Sequence, residues 1–315
     1  MQYRRLGRTG LQVSVVGLGS GGPSRLGQAS GVPEADAIRV VHRALDLGVN
    51  LIDTAAGYGE SEAILGRALR CIPRDRYVLA SKFHPHARGT EALLPVEALE
   101  GSLHHSLRRL ATDYLDVFQL HGVVADSYAQ VIDRFLPEAR RWQEQGKVRF
   151  LGITERYVSD GSHQMLHLAL PDNHFDTMMV GYSLLAPGAE REVLPAARRQ
   201  DVGVMVMFAV RRALSQPENL SETIRGLKAR GLLDQDSLPD DGPLDWLVHD
   251  EVDSVPSAAY KFVAEHPAVS TVLTGTANIA HLEANNQAML GPPLPPADRA
   301  RILQLFGHIE ESMGN

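Results

Sequence analysis

YVLASKFHPHARGTEALLPVEALEGSLHHSLRRLATDYLDVFQLHG, residues Tyr77–Gly122, sets two short β-rich runs, Tyr77–Ser81 and Leu115–Leu120, on either side of Val96–Leu110. The middle segment repeats its apolar residues three and four apart, the spacing of a helix with one buried face. Strand, helix and strand in that order form a parallel crossover unit, because parallel neighbours need a long connection to bring the chain back to the same end of the sheet. The alternation extends in both directions. Further strands are predicted at Val15–Leu18, Val49–Asp53, Val148–Gly152, Thr177–Val180, Gly203–Met207 and Val269–Thr274, and further helices at Ala35–Leu47, Ser61–Leu69, Tyr128–Gln145, Ser159–Leu170 and Glu190–Arg199. About eight such units predict an α/β chain folded as a (β/α)8 TIM barrel.

Before the first barrel strand, YRRLGRTGLQVSVVG reads as a β-hairpin turning at Thr9 and Gly10, which would close the bottom of the barrel. Two additional C-terminal helices, Ile279–Leu290 and Pro296–Ser312, flank the Pro-rich break GPPLPP. No Ser-, Gly- or Pro-biased linker divides the chain, so a single domain over residues 1–315 is expected. The longest irregular region, Arg211–Pro256, lies between the seventh and eighth barrel strands, and a connection of that length is usually functional.

Composition narrows the function classes. Hydrophobic residues at 44% and charged residues at 22% are those of a chain that packs a core. The formal charge of −7 comes from intermixed acids and bases, with no long basic run, which argues against nucleic acid as a partner. Cys71 is the one cysteine, so the chain can form no internal disulfide and a reducing, cytoplasmic setting is expected. The first residues contain no continuous apolar leader core, and no stretch approaches the ~20 apolar residues of a membrane span, so no membrane association is expected.

In a barrel of this kind the chemistry sits at the C-terminal ends of the strands. Asp53 ends the second strand, Tyr58 follows in a Gly-rich turn, Lys82 directly follows the third strand and His121 directly follows the fourth. Singly, each has a structural alternative: a helix-capping Asp, a packing Tyr, a solvated Lys, a structural His. Together at consecutive strand ends they make an acid–base set. The Lys82 ammonium would lower the Tyr58 phenol toward neutral pH, Asp53 would hold the ammonium, and His121 would orient a carbonyl oxygen. His84 and His86, alternate residues beyond Lys82, lack a third ligand at convincing spacing, so no metal is expected. The GLGSGG run at Gly17–Gly22 lacks the helix and acidic residue of a Rossmann fingerprint and reads as a loop lining the pocket.

With those residues in place, the chain resembles the aldo-keto reductase superfamily, from RRLGRTGLQVSVVGLGSGG through IDTAAGYGESEAILGRAL and DYLDVFQLHG to TGTANIAHLEANN. The resemblance implies a barrel that binds a nicotinamide dinucleotide, NAD or NADP, and moves a hydride between it and a small aldehyde, ketone or alcohol. It implies Tyr58 as general acid/base, Lys82 and Asp53 as its tuning pair, and His121 as the substrate-orienting residue. Gly19 and Ser20, at the first strand end, join the implied cofactor contacts.

Other cofactor positions depart from the family pattern. Thr154 and Glu155 stand after the fifth strand where Ser-Asn usually holds the nicotinamide carboxamide; Met179 and Ser183 replace Gln and Asn at the sixth; and Met207, Phe208, Ala209 and Val210 replace aromatic-Ser-Pro-Leu at the seventh, with Phe208 expected to stack on the nicotinamide from one position away. Near the C-terminus, Gly275, Thr276, Asn278 and His281 offer no fixed cation to a 2′-phosphate, while Asn285 keeps the adenine position. Backbone and hydroxyl donors at Gly275 and Thr276 remain for a phosphate, and Arg211 and Arg212 are alternative phosphate partners. This pattern leans toward NAD. Two rivals stand beside the reductase: redox-neutral acid–base chemistry such as elimination or epimerisation, favoured by Glu155, Met179 and Met207, and a non-catalytic nucleotide-sensing partner protein, which the complete tetrad opposes. By analogy with bacterial members related to galactose dehydrogenases, sugar-like substrates are expected.

Overall fold

A computed structural model describes residues 1–22 and 24–313. Tyr3–Arg5 (β1) and Gln12–Ser14 (β2) pair antiparallel as the expected hairpin. Eight parallel strands then close on themselves: Val16–Gly19 (β3), Leu51–Asp53 (β4), Val78–Phe83 (β5), Leu115–Val123 (β6), Val148–Glu155 (β7), Thr177–Gly181 (β8), Gly203–Met207 (β9) and Val269–Thr274 (β10), with β10 pairing back onto β3. Helices Glu34–Asp46 (α1), Ser61–Leu69 (α2), Val96–Leu110 (α3), Tyr128–Glu144 (α4), Gln164–Asp172 (α5) and Val193–Arg199 (α6) alternate with the strands. The β9–β10 connection carries Arg212–Ser215 (α7), Pro217–Ala229 (α8) and Val255–Ala264 (α9). Ile279–Leu290 (α10) and Pro296–Phe306 (α11) follow the last strand. No described helix is long and apolar enough to cross a membrane.

Successive strand residues point to opposite faces, and that period of two builds the two halves of the core. The outward residues Ile52, Leu79, Phe118, Ile153, Val180 and Val206 pack with Leu65, Leu103, Phe135 and Leu166 of the helices. Each such buried side chain stabilises the fold by roughly 1.5–3 kcal/mol. The inward residues Leu51, Val78, Ala80, Val117, Met179 and Met205 meet Leu6 and Val13 of the hairpin in a second apolar cluster. The hairpin therefore plugs the barrel end opposite the strand C-termini.

Five strands run further than the apolar pattern predicts, β3 and β8 by a single residue and three others by more. β5 continues through Lys82 and Phe83, which pair with Gln119 and Leu120 of β6, so Lys82 lies within its strand instead of following it. β6 continues through His121 to Val123, and β7 through Thr154 to Glu155. The backbone ladder carries these polar residues along, since parallel hydrogen bonding does not depend on side-chain polarity. The β6–β7 register shifts between Leu120 and Val123, where Gly122 N–H donates to Thr154 Oγ1 at 2.7 Å. Irregularities of this kind re-aim side chains beside functional sites.

Helix ends differ as well. α5 begins at Gln164, not at Ser159, because the Asp160 carboxylate accepts from the N–H groups of Gln164 and Met165 and His163 is left-handed at φ 60°. α6 begins at Val193, after a 3-10 turn over Gly188–Glu190, and α11 stops at Phe306 instead of reaching Ser312.

Candidate active site

The inward parity that stacks Leu51, then Val78 and Ala80, then Val117 into the apolar cluster puts Asp53, Lys82, Gln119 and His121 next in line on the same face. Four neighbouring strand positions therefore deliver polar groups to one point at the strand C-termini. Lys82 Nζ donates to Asp53 Oδ2 at 2.5 Å and to the Thr54 carbonyl at 2.8 Å, and reaches Tyr58 Oη at 3.5 Å. Tyr58 Oη lies 3.4 Å from His121 Nε2. Gln119 Nε2 donates to the second Asp53 oxygen at 3.2 Å.

Lys82 and Asp53 are 1% and 3% exposed, so the pair is enclosed and its mutual attraction has to offset the loss of water. Burial pulls the Lys82 ammonium down, and Asp53 and Tyr58 more than restore it, so it stays charged. Burial pushes the Asp53 carboxyl up against the pull of Lys82 and Gln119. For Tyr58, burial of the hydroxyl pushes the phenol above its ordinary value, and the opposing pull of Lys82 is the smaller effect. This corrects the expectation of a lowered phenol: at neutral pH Tyr58 is a protonated donor. His121 is driven well below the ordinary imidazole value by burial, then by Lys82 and His84, and is neutral.

The turn carrying Tyr58 is fixed from two sides. Gln28 Nε2 donates to Ser61 Oγ at 2.9 Å and its Oε1 accepts from Glu60 N–H at 2.9 Å, tying the loop after β3 to the Tyr58 turn. Gly21 lies so close to the Tyr58 ring that a Cβ there would stand 2.4 Å from Cε2. Neither Gln28 nor Gly21 carries a sequence signal for this role. Gln119 did have one, standing two residues before His121 on a strand and hence on the same face.

The residues matched to cofactor positions divide. Gly19, Ser20, Thr154, Met207, Phe208, Ala209, Val210, Gly275 and Thr276 lie at or just beyond the C-terminal ends of β3, β7, β9 and β10, and Asn278, His281 and Asn285 lie at the start or within α10. Asn278 is occupied as the α10 cap, its Oδ1 accepting from Ala280 and His281 N–H. Glu155 does not face the mouth: its parity is opposite to that of Thr154, and its carboxylate accepts from His163 Nδ1 at 2.9 Å and Gly181 N–H at 2.7 Å. Met179, 3% exposed, packs in the inner apolar cluster. Phe208 has its ring engaged by Tyr157, stacked at 5.9 Å, and by Arg211, 4.0 Å over the centroid. Ser183 is buried and forms an isolated bridge with Ala186. Arg212 is exposed at the start of α7.

His84 lies near His121, with ring centroids 5.8 Å apart, and its ring lies 5.7 Å from that of His86. His86 shares a 3.0 Å hydrogen bond with Ser127 Oγ. Among the described residues no group of three His, Cys, Asp or Glu side chains has metal-holding geometry.

A family model for the aldo/keto reductase family matches residues 16–305. The chain belongs to the aldo/keto reductase family. Within it, the chain is 37% identical over 159 residues to the L-galactose dehydrogenase of Arabidopsis thaliana, a match covering 49% of this chain and 48% of that one, so it spans about half the length of that relative. It is 30% identical over 227 residues to the NADH-specific methylglyoxal reductase of Escherichia coli K12, covering 66% of this chain and 67% of that one. Over nearly the whole barrel it is similar to a solved aldo-keto reductase of Bacillus halodurans in its holo form, with TM-score 0.71, 27% identity, and coverage of 97% and 96%.

For an aldo/keto reductase a dinucleotide must fit the mouth, and polar atoms left without partners are the test. Ser20 Oγ, in a residue 0% exposed at the end of β3, has no partner among the described residues, and neither has the buried Tyr157 hydroxyl or Arg211 Nη1. Unpartnered buried polar atoms also occur away from the mouth, Trp142 Nε1 and Asn286 Oδ1 among them, so what fits these three to a polar ligand is their place at the C-terminal ends of the strands.

Proposed function

We propose that the chain, as one domain over residues 1–315, is a nicotinamide-dependent oxidoreductase that interconverts a small aldehyde or ketone and the corresponding alcohol, with Tyr58 as general acid/base. The observation that carries this reading is the convergence of Lys82 on Asp53 at 2.5 Å and on Tyr58 at 3.5 Å, with His121 Nε2 3.4 Å from the same phenol. A carbonyl oxygen placed against Tyr58 Oη and His121 Nε2 receives two hydrogen bonds, and a neutral imidazole donates one without competing as an acid. The dinucleotide, when bound, supplies the hydride to the carbonyl carbon or accepts it from the alcohol. In reduction Tyr58 gives its proton to the oxygen, and the Lys82 ammonium stabilises the phenolate left behind. In oxidation the phenolate takes that proton back. Asp53 keeps the ammonium in place throughout.

Ser20, Thr154, Gly275, Thr276 and Asn285 would hold the dinucleotide, Thr154 with its hydroxyl proton still free while its oxygen accepts from Gly122. NAD is the favoured form. Support comes from the lack of a lysine or arginine over Gly275–His281 and from the use of Asn278 as a helix cap, which leaves no fixed cation for a 2′-phosphate. The relative named as NADH-specific points the same way. The likeness to an L-galactose dehydrogenase supports hydroxylated, sugar-like substrates. The unpaired thiol of Cys71 supports a cytoplasmic location.

The redox-neutral alternative drew on Glu155, Met179 and Met207. With Glu155 turned to His163 and Met179 packed in the inner core, neither takes over the nicotinamide contact it replaces, so cofactor binding is what separates the two readings. Titration of the purified chain with NADH and NADPH in parallel tests the proposal. NADH binding at least as tight as NADPH is expected; binding of neither contradicts it.

A further inference from the structure

On the helical side of the Tyr58 turn a guanidinium meets two carboxylates. Arg109 stands in the last turn of α3, where a cation suits the negative end of the helix macrodipole, but its side chain leaves that helix for the start of α2. Its Nη2 donates to the carbonyl of Gly59, the residue next to Tyr58, and its Nη1 lies 3.5 Å from Glu60 Oε1. Gly59 has φ 63°, so the carbonyl that Arg109 holds belongs to a left-handed position on which the direction of the turn depends. Gly66 permits the approach: a Cβ there would stand 2.1 Å from the Arg109 carbonyl oxygen, so α2 lies directly on the end of α3.

The same guanidinium has a second partner. Glu62, in the first turn of α2, is 0% exposed, and its Oε2 lies 3.6 Å from Arg109 Nε. Neither atom has a hydrogen-bond partner among the described residues, so the charge of each is answered by the other. The remaining Glu62 oxygen, Oε1, accepts from Ser81 Oγ at 2.8 Å. Ser81 precedes Lys82 on β5, and strand alternation turns Ser81 out to α2 and Lys82 in to Asp53 and Tyr58. Arg109 is thus joined to the backbone beside the phenol directly, and to the backbone beside the ammonium through Glu62 and Ser81. A buried ion pair adds little stability, because the loss of water offsets the attraction. What this network supplies is a fixed geometry.

We propose that Arg109 and Glu62 are positioning residues for the proton transfer: they hold the Tyr58 turn and the Lys82 strand end in one frame and so fix the separation of Tyr58 Oη from Lys82 Nζ, which is 3.5 Å. Neither touches the reacting atoms. The attraction of the ammonium for a phenolate falls as the two move apart, so a turn that drifts on its helix loses that support. The effect on turnover rests on the reductase reading above, whereas the held geometry of phenol and ammonium does not.

Two variants test this. Glu62→Gln keeps the shape and an acceptor for Ser81 and removes the charge, and Arg109→Met/Glu62→Gln removes the guanidinium without leaving a buried carboxylate unpaired. Urea unfolding reports their stability. Phenolate absorbance, taken as the difference between each protein and the same protein carrying Tyr58→Phe, reads the Tyr58 titration with no substrate or cofactor. The charges acting on the phenol, those of Lys82, Asp53 and Arg25, stay in place in both variants, as does His121 beside it, so a shift reads movement of the turn. Release admits water, and burial is the largest cause of the raised phenol, so its midpoint is expected to fall toward the ordinary value. With a small aldehyde and NADH, kcat is expected to fall about 10- to 100-fold in the double variant and about 3- to 10-fold in Glu62→Gln, with NADH affinity unchanged. A lowered phenol midpoint in a chain whose wild type binds no dinucleotide retains the positioning role and removes the reductase reading. Folded variants that lose stability to urea but keep the wild-type phenol midpoint, with kcat within about twofold of wild type, overturn the proposal.

Discussion

The Tyr58 hydroxyl lies 3.4 Å from His121 Nε2, a phenol raised above its ordinary value facing an imidazole lowered below its own. Each is in its neutral form over the same pH range. The site therefore holds a proton donor and a neutral orienting group with no titration between them.

The pH dependence follows. The phenol lies above 10.0 and the imidazole below 6.5, so kcat/KM for carbonyl reduction is expected to stay flat between those limits and to fall only on the alkaline side, as Tyr58 loses its proton. Steady-state rates across that range check this. A limb inside the window that survives Tyr58→Phe would assign the proton to another group.

Lys82→Met removes the partner of a carboxyl that is 3% exposed. Breaking a buried pair from one side is expected to cost about 3–5 kcal/mol of unfolding free energy and to abolish turnover. The double variant Lys82→Met/Asp53→Leu is expected to recover most of the stability and none of the activity. Urea unfolding of the three proteins separates the two effects.

Much of this site is legible in the sequence because it follows from periodicity. Tyr77–Gly122 shows strand, helix and strand through apolar spacing, and Lys82 and His121 stand out as polar residues where the apolar runs stop. The strands' true length is not legible there, since a ladder of backbone hydrogen bonds extends through polar residues without leaving a pattern. That length decides where Glu155 points: with β7 continuing through Thr154, alternation turns Thr154 in and Glu155 out toward His163. The Tyr157–Phe208 stack joins segments far apart in the chain, and the left-handed turns at His163 and Phe208 are set by tertiary packing, so neither has a local signature. The direction of the Tyr58 shift is not legible in the sequence for a related reason. The charge of Lys82 is visible in the sequence, whereas the burial that outweighs it arises only on folding.

Gly21→Ala tests the support of the acid. A methyl group there would meet the Tyr58 ring at Cε2 and Cζ, 2.4 and 2.6 Å away, and the ring must move. A displacement of this order is expected to lower kcat about 10- to 100-fold with KM little changed. Unchanged kcat in the folded variant would show that Tyr58 need not sit where the loop holds it.

The most direct test of the central claim is turnover by Tyr58→Phe, which keeps the ring beside Lys82 and His121 and deletes only the hydroxyl. With a small aldehyde and NADH or NADPH, the account predicts a loss of about 10²- to 10⁴-fold in kcat while the affinity for the dinucleotide stays at the wild-type value. Full turnover by the variant would contradict it.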